Sequence, residues 1–176
     1  TQLLTAGRGT PSALKCQYAQ VAAASLYHDA IYIGGALRKS QMEGWLSTFK
    51  YSPEVQRNMK AHPDYDAYWK QFDSNPKRAK VNVPGVHVAG WFDTFCQGGI
   101  DAFQNRQQHG AEGARGKQKL VIGPWVHKLH KYEGELIFPK ARMPRQYESI
   151  NCLNHYLKNQ DNGFERLPAV AYYVLG

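Results

Sequence analysis

Two short, largely apolar runs set the frame of the chain, residues 83–89 and 119–122, each followed by a glycine and then a polar residue. Runs of this length without polar alternation read as strands covered on both faces, as in a parallel sheet. The first leads into Gly90-Trp91-Phe92-Asp93 and the second into Gly123-Pro124-Trp125-Val126-His127. Between them, residues 94–109 read as a helix stopped by Gly110, then a loop carrying Gly113 and Gly116, then the second strand over 117–122. Strand, helix and strand joined by short links predict a right-handed parallel crossover.

Elsewhere the texture differs. Residues 1–6 read as the end of a helix stopped by Gly7, Gly9-Thr10-Pro11-Ser12 as a turn, and 16–24 as a short strand with a small-residue exit. Residues 26–73 are aromatic and helical in spacing, without a strand pattern. Ser52-Pro53-Glu54 has the cap, proline and acid of a helix start. A second start is expected at His62-Pro63-Asp64, with Tyr65, Tyr68, Trp69 and Phe72 as an apolar stripe for core packing. Asn75-Pro76-Lys77-Arg78 breaks the helical region before the sheet resumes at Val81. After His127 an irregular stretch is expected to Pro144, then a helix to about Lys158, a turn over 160–163, and an alternating strand over 168–175. That last strand is expected to lack a partner within the chain, and both ends read as cut through structural elements.

A 43% apolar fraction and eleven tyrosines in 176 residues predict one globular domain with a real core. No apolar stretch approaches the ~20 residues that cross a bilayer. The net charge is +8, and nine Lys and Arg between Arg106 and Arg145 face only Glu112, Glu133 and Glu135. Such a balance favours polyanions in general. These bases, however, scatter over helix, turn and loop positions and carry no nucleic-acid module. A solvated basic face is the expectation, with neither nucleic acid nor membrane as partner. Cys16, Cys96 and Cys152 are odd in number and widely spaced, which gives no disulfide framework and no zinc site. Free, mostly buried thiols tilt the reading toward a reducing, cytoplasmic compartment. The chain opens on Thr1 with no initiator Met, so a leader ahead of it leaves export open.

In open α/β sheets the working residues gather at the carboxyl ends of strands. Asp93 and His127 stand there, in the order that a triad acid and base follow after an upstream serine. Histidine supplies a base near neutral pKa, and a buried carboxylate holds its tautomer and stabilises the imidazolium. On spacing and type alone, two plainer roles stand beside this one: Asp93 as N-cap of the following helix, and His127 as a turn residue. Ser12, Ser25 and Ser40 lack the glycine-flanked setting of a nucleophile elbow. His127-x-x-His130 is two histidines without further ligands, read as one base and one surface histidine. No metal or cofactor is expected.

Over nearly its whole length the chain resembles the cocaine-esterase-like and X-Pro dipeptidyl-peptidase-like (peptidase S15 type) serine hydrolases, a family that includes the α-amino-acid ester hydrolases. Gly90-Trp91-Phe92-Asp93-Thr94-Phe95 and Gly123-Pro124-Trp125-Val126-His127 are the most specific motifs. Residues 1–6 resemble the helix after the family's elbow Gly-x-Ser-Tyr-x-Gly. Leu26-Tyr27-His28-Asp29 with Gly34-Gly35-Ala36, and the segment 62–69, resemble its cap. Tyr156-Leu157-Lys158, Asp161-Asn162-Gly163 and 168–176 resemble the approach to its jelly-roll domain.

The resemblance implies an α/β fold, the C-terminal portion of an α/β-hydrolase with a helical cap insertion and the first strand of a β jelly-roll. Residues 1–24 and 81–158 would form the partial core, 25–80 the cap, and 159–176 the start of the jelly-roll. It implies Asp93 as triad acid and His127 as base. The serine and the oxyanion tyrosine would lie ahead of Thr1, so this chain alone is expected to be inactive and, with an uncovered sheet, poorly soluble. The substrate would be a small ester or short peptide. Tyr27, His28, Tyr32, Trp91 and Phe92 are candidates for an acyl pocket, with aromatic packing between cap and sheet as the equal alternative. The amino-ester branch needs acids near the triad for a substrate ammonium, and Thr94-Phe95-Cys96-Gln97-Gly98 offers none, which leaves Asp29 to supply one charge. A degenerate hydrolase or basic binding module is the second class.

Overall fold

The computed structural model describes residues 2–129, 132–133 and 135–175. Helix α1 (Gln2–Gly7) leads to strand β1 (Gln17–Gln20) and a π-type turn over Tyr27–Ile31. A hairpin, β2 (Tyr32–Ile33) and β3 (Ala36–Leu37), precedes helices α2 (Lys39–Thr48), α3 (Pro53–Ala61) and the single turn α4 (Ala67–Lys70). After a 3-10 segment over Asn75–Lys80 come β4 (Gly85–Gly90), α5 (Cys96–His109) and β5 (Gln118–Gly123). The hairpin β6 (Tyr132–Glu133) and β7 (Leu136–Ile137), helix α6 (Ser149–Lys158) and strand β8 (Val170–Tyr172) complete the described chain.

The main sheet has the order β1-β4-β5-β8 and every pair in it is parallel. β4 and β5 are buried along their whole length, as their largely apolar patterns predict, with His87, Gln118 and Lys119 as buried polar members. Alternate residues serve opposite faces. Val86, Val88 and Val121 pack with Cys152, Phe164, Tyr147 and Trp125 on the α6 side. Ala89, Leu120 and Ile122 pack with Phe103 of α5 on the other. The fold is thus α/β, with helices on both faces of a parallel sheet.

Residues 27–72 form their own core of Tyr27, Ile31, Tyr32, Met42, Leu46, Met59 and Trp69. Trp69 is fully buried and donates from its indole to the His62 carbonyl at 2.6 Å, so the aromatic stripe is packing, as read.

Several local expectations are corrected. Residues 26–73 do contain strand: the β2–β3 hairpin turns on Gly34 and Gly35, whose φ values of 63° and 82° need no Cβ. The helix expected at His62-Pro63-Asp64 does not start there. Asp66 caps it instead, accepting from the N–H of Tyr68 at 2.9 Å and of Trp69 at 3.4 Å, and it runs for one turn. Ser52 sits at the N-cap of α3 without a side-chain hydrogen bond, leaving Pro53 and Glu54 as the start signal. The stretch read as irregular after His127 holds the β6–β7 hairpin.

The largest correction is β8. It has a partner: Leu120, Val121 and Ile122 pair in parallel with Val170, Ala171 and Tyr172. The pairing is non-local, so no turn or local pattern announces it. It is anchored by Lys119, whose ammonium donates to the carbonyls of Leu167 at 2.7 Å and Glu165 at 3.2 Å, and by Tyr147, whose hydroxyl donates to Pro168 at 2.9 Å. Cys16, Cys96 and Cys152 are free thiols, the first and last buried together in the α6-side core. No described helix is long and apolar enough to cross a membrane.

Candidate active site

Parallel register brings Gly90 opposite Gly123, so the two loops that follow leave the sheet side by side. The N–H of Trp91 donates to the Gly123 carbonyl at 2.9 Å and the N–H of Phe92 to the Trp125 carbonyl at 3.0 Å. Trp125 is buried and donates from its indole to the Ala141 carbonyl at 2.5 Å. Its backbone and ring lie where a Cβ on Gly90 or Gly123 would have to go. Those glycines are therefore required by the close approach of the loops.

The two loops bring Asp93 Oδ1 to 3.3 Å from His127 Nδ1. Asp93 is nearly sealed, with its side chain 1% exposed, whereas the His127 ring is 59% exposed. The N–H of Phe95 donates to the same Oδ1 at 3.2 Å, as expected of a residue that also caps the turn before α5. Asp93 Oδ2 is buried and has no hydrogen-bond partner. The Phe95 ring packs edge-on to the His127 imidazole, 5.3 Å between centroids. A buried acid and an exposed base in contact is the arrangement for orienting an imidazole while leaving Nε2 free to accept a proton. The contact is longer than a charge-assisted hydrogen bond of about 2.8 Å, as is common where no substrate is bound.

The proposed acyl-pocket residues do not gather there as a group. Tyr27 and Tyr32 are buried in the core formed by residues 27–72, stacked 5.0 Å apart, and their hydroxyls donate to the carbonyls of Pro63 at 2.6 Å and Met59 at 3.2 Å. For these two the packing alternative holds. His28 is exposed, with its ring 4.6 Å from that of Tyr65. Trp91 and Phe92 are over a third exposed but turn toward the end of β8 and the loop before α6. The Trp91 indole donates to the Tyr173 carbonyl at 2.8 Å, and Phe92 stacks on Phe138 at 5.7 Å.

Asp29 is not a free charge for a substrate ammonium. Its Oδ2 accepts from the N–H groups of Ala24 at 2.7 Å and Ser25 at 2.8 Å, and Gly98 packs against it. Burial pushes its carboxyl above the usual range, with the two backbone donors opposing. Among the described residues no group of three His, Cys, Asp or Glu side chains gathers to hold a metal. His130, the second member of the histidine pair, lies outside the described residues.

Two features escaped sequence reading. Phe95, packed on the His127 ring, was visible only as part of a motif. Arg38, read only as part of the cap, donates from Nη1 to the hydroxyl of Thr94, the neighbour of Asp93, across 56 residues. No local signal in the sequence reports such a contact.

Residues 47–129 match the family described as X-Pro dipeptidyl-peptidase (S15 family), a segment that contains both Asp93 and His127. Three solved structures share the fold. A CocE/NonD family hydrolase from Staphylococcus aureus is 18% identical with a TM-score of 0.68, over 97% of this chain and 29% of its own. An aminopeptidase from a marine sediment Thaumarchaeota archaeon is 21% identical with a TM-score of 0.72, over 94% and 34%. An α-amino-acid ester hydrolase is 18% identical with a TM-score of 0.65, over 97% and 34%. At such identities the likeness establishes the fold, and the chain spans only about a third of the length of these proteins. Among curated proteins none matches.

Proposed function

We propose that this chain, whose residues 47–129 match the X-Pro dipeptidyl-peptidase (S15) family, carries the acid and base of a serine hydrolase that cleaves ester or amide bonds through an acyl-enzyme. The observation that carries the reading is the 3.3 Å contact between Asp93 Oδ1 and His127 Nδ1 at the ends of adjacent parallel strands. With Nδ1–H donating to Asp93, His127 Nε2 takes the proton of the attacking serine and returns it to the leaving group. Asp93, sealed from water, holds that tautomer and stabilises the imidazolium without itself changing charge. The serine and an oxyanion-hole tyrosine belong, in this proposal, to the polypeptide ahead of Thr1, and the 176 residues by themselves do not turn over substrate.

Residues 25–80 act as the cap over this site, and 1–24 with 81–158 as its share of the hydrolase core. Residues 159–176 are proposed to lead into a jelly-roll domain, with β8 pairing with β5 of the main sheet on the way. The substrate is a small ester or short peptide, with neither nucleic acid nor membrane as partner. The alternative of a basic binding module loses support, since two of its nine bases, Arg106 and Lys119, are buried and engaged with protein acceptors.

The test uses the complete enzyme, assayed on nitrophenyl esters and Xaa-Pro anilides. His127→Ala is expected to abolish turnover with the fold retained. Retained turnover, or an upstream reading frame whose elbow has no serine, overturns the proposal. Which substrate is cleaved distinguishes esterase from dipeptidyl-peptidase.

A further inference from the structure

A cavity of about 210 Å³ lies at the foot of β5, the end of the strand away from the loop that carries His127. It is lined by Gly116 and Lys117 ahead of the strand, Lys119 within it, Tyr156 of α6 and Glu165 of the 3-10 turn before β8. A water molecule needs about 10–15 Å³ of such space, so there is room for a small organic molecule.

Two walls of this cavity carry opposite charge and do not meet. Lys119 is only 7% exposed. Two of its three N–H donors go to the carbonyls of Leu167 at 2.7 Å and Glu165 at 3.2 Å, and its ammonium lies 5.7 Å from the centre of the Phe164 ring. These backbone acceptors hold the ammonium in place and leave one donor over. The Glu165 carboxylate stands against His155 instead, 3.5 Å from its Nε2. Among the described residues neither Lys117 nor Lys119 has a carboxylate within ion-pair distance, and Glu165 has no lysine or arginine. Burial lowers the pKa of Lys119 while the charge of Glu165 opposes the shift, so the two groups feel each other without touching.

A lysine taken this far out of water lacks the anion that would offset its desolvation. A simple anion brought to it would also meet Glu165, and a simple cation brought to Glu165 would meet two lysines. A ligand with a carboxylate at one end and an ammonium at the other satisfies both walls at once, through charge-assisted hydrogen bonds. The Tyr156 ring adds apolar surface beside the charges.

We propose that this cavity binds a free α-amino acid as its zwitterion, with the carboxylate on Lys119 and Lys117, the ammonium on Glu165 and the side chain along the Tyr156 ring. A ligand held there sits away from His127 and is not the molecule being cleaved. Its binding needs neither Asp93 nor His127, so the inference stands or falls separately from the hydrolase reading.

The experiment titrates the complete enzyme by calorimetry with L-alanine, with propionate, which lacks the ammonium, and with ethylamine, which lacks the carboxylate. Alanine is expected to bind saturably with a Kd at or below about 1 mM. Each of the other two is expected to bind at least about tenfold more weakly, as for loss of a charge-assisted hydrogen bond. Glu165→Gln is expected to weaken alanine at least about tenfold and not to weaken propionate. His127→Ala is expected to leave alanine binding unchanged, and its loss there overturns the proposal. Absence of saturable alanine binding, with the cavity holding water only, overturns it too. So does propionate or ethylamine binding as tightly as alanine, which marks a plain ion site, or an alanine affinity that Glu165→Gln leaves intact. Lys119→Met is expected to weaken alanine and spare ethylamine. Should that variant fail to fold, Lys117→Met, at an exposed position, is expected to do the same in smaller measure, and Glu165→Gln decides.

Discussion

Gly90 and Gly123 stand opposite each other in the register of β4 and β5, and the backbone and ring of Trp125 fill the space where a side chain on either would go. The acid loop and the base loop are one packed unit because of this pair. Gly90→Ala or Gly123→Ala has to displace Trp125, a fully buried side chain whose indole is bound to Ala141. Each is expected to cost about 1–3 kcal/mol of stability, as overpacking does, and to separate Asp93 from His127. Thermal melts and turnover of the complete enzyme check this. Unchanged values for both variants would contradict it.

Asp93→Asn keeps the size of the side chain and removes its charge. In the proposed mechanism kcat is expected to drop about 10⁴-fold, as when a triad imidazole loses the acid that sets its tautomer. The far-ultraviolet spectrum should stay as it was. A drop of less than tenfold would reduce Asp93 to the N-cap role that its contact with the Phe95 N–H also allows.

His87 lies wholly inside the sheet, with Nε2 3.1 Å from Gln118 Oε1. Burial, with the neighbouring Arg106 charge adding, pulls its pKa down to about 3. The unfolded chain protonates this histidine below about 6.5 and the folded chain does not until about 3. Between those limits the unfolded state binds more protons, so stability falls as the pH is lowered through the window. The slope is at most about 1.4 kcal/mol per pH unit. His87→Gln is expected to flatten that part of the curve, and denaturant midpoints measured from pH 7 to pH 4 test it.

Arg106 is buried, and it donates to Gln17 Oε1 at 2.7 Å and to the Leu3 carbonyl at 2.8 Å. Gln17 in turn donates to the Gln2 carbonyl at 2.6 Å, so the guanidinium clamps the first turn of α1 onto β1. Desolvation lowers its pKa to about 10, a sign that the fold carries this charge at a cost. Arg106→Ala leaves two buried acceptors without donors and is expected to destabilise by about 3 kcal/mol or more. Loss of hydrogen-exchange protection in α1 and β1 ahead of the rest of the sheet is the expected signature.

Helix α6 exposes Ile150, Leu153 and Leu157, and the end of the chain exposes Val170, Tyr172 and Val174. The 176-residue chain on its own is therefore expected to bind a hydrophobic dye and to aggregate at micromolar concentration. Replacing Ile150, Leu153 and Leu157 by Glu, Lys and Glu is expected to raise its solubility. A soluble, dye-negative starting chain would contradict this.

Much of the site was legible in the sequence. Largely apolar runs identified β4 and β5 because burial on both faces leaves no regular polar alternation, and the glycine and polar residue after each run marked the strand ends where Asp93 and His127 sit. Helix α5 and the start of α3 were equally readable, since Gly110 and Ser52-Pro53-Glu54 act on neighbours a few residues away. The Gly34-Gly35 hairpin was missed, because strands of two residues inside a helical texture show no alternation.

What the local pattern did not contain is long-range. β8 joins β5 through a parallel ladder that no turn announces. Tyr27 and Tyr32 look like binding residues on a motif, yet they are drawn into the core of residues 27–72 because stacking and backbone acceptors there satisfy both ring and hydroxyl. Asp29 carries a charge in the sequence and spends it on two backbone N–H groups in the fold. By itself the sequence determined residue types, strand ends and the order of acid and base, all carried by periodicity and short-range chemistry. Only the tertiary structure decided which side chains meet, because Asp93 with His127 and Arg38 with Thr94 are joined by packing across 34 and 56 residues of chain.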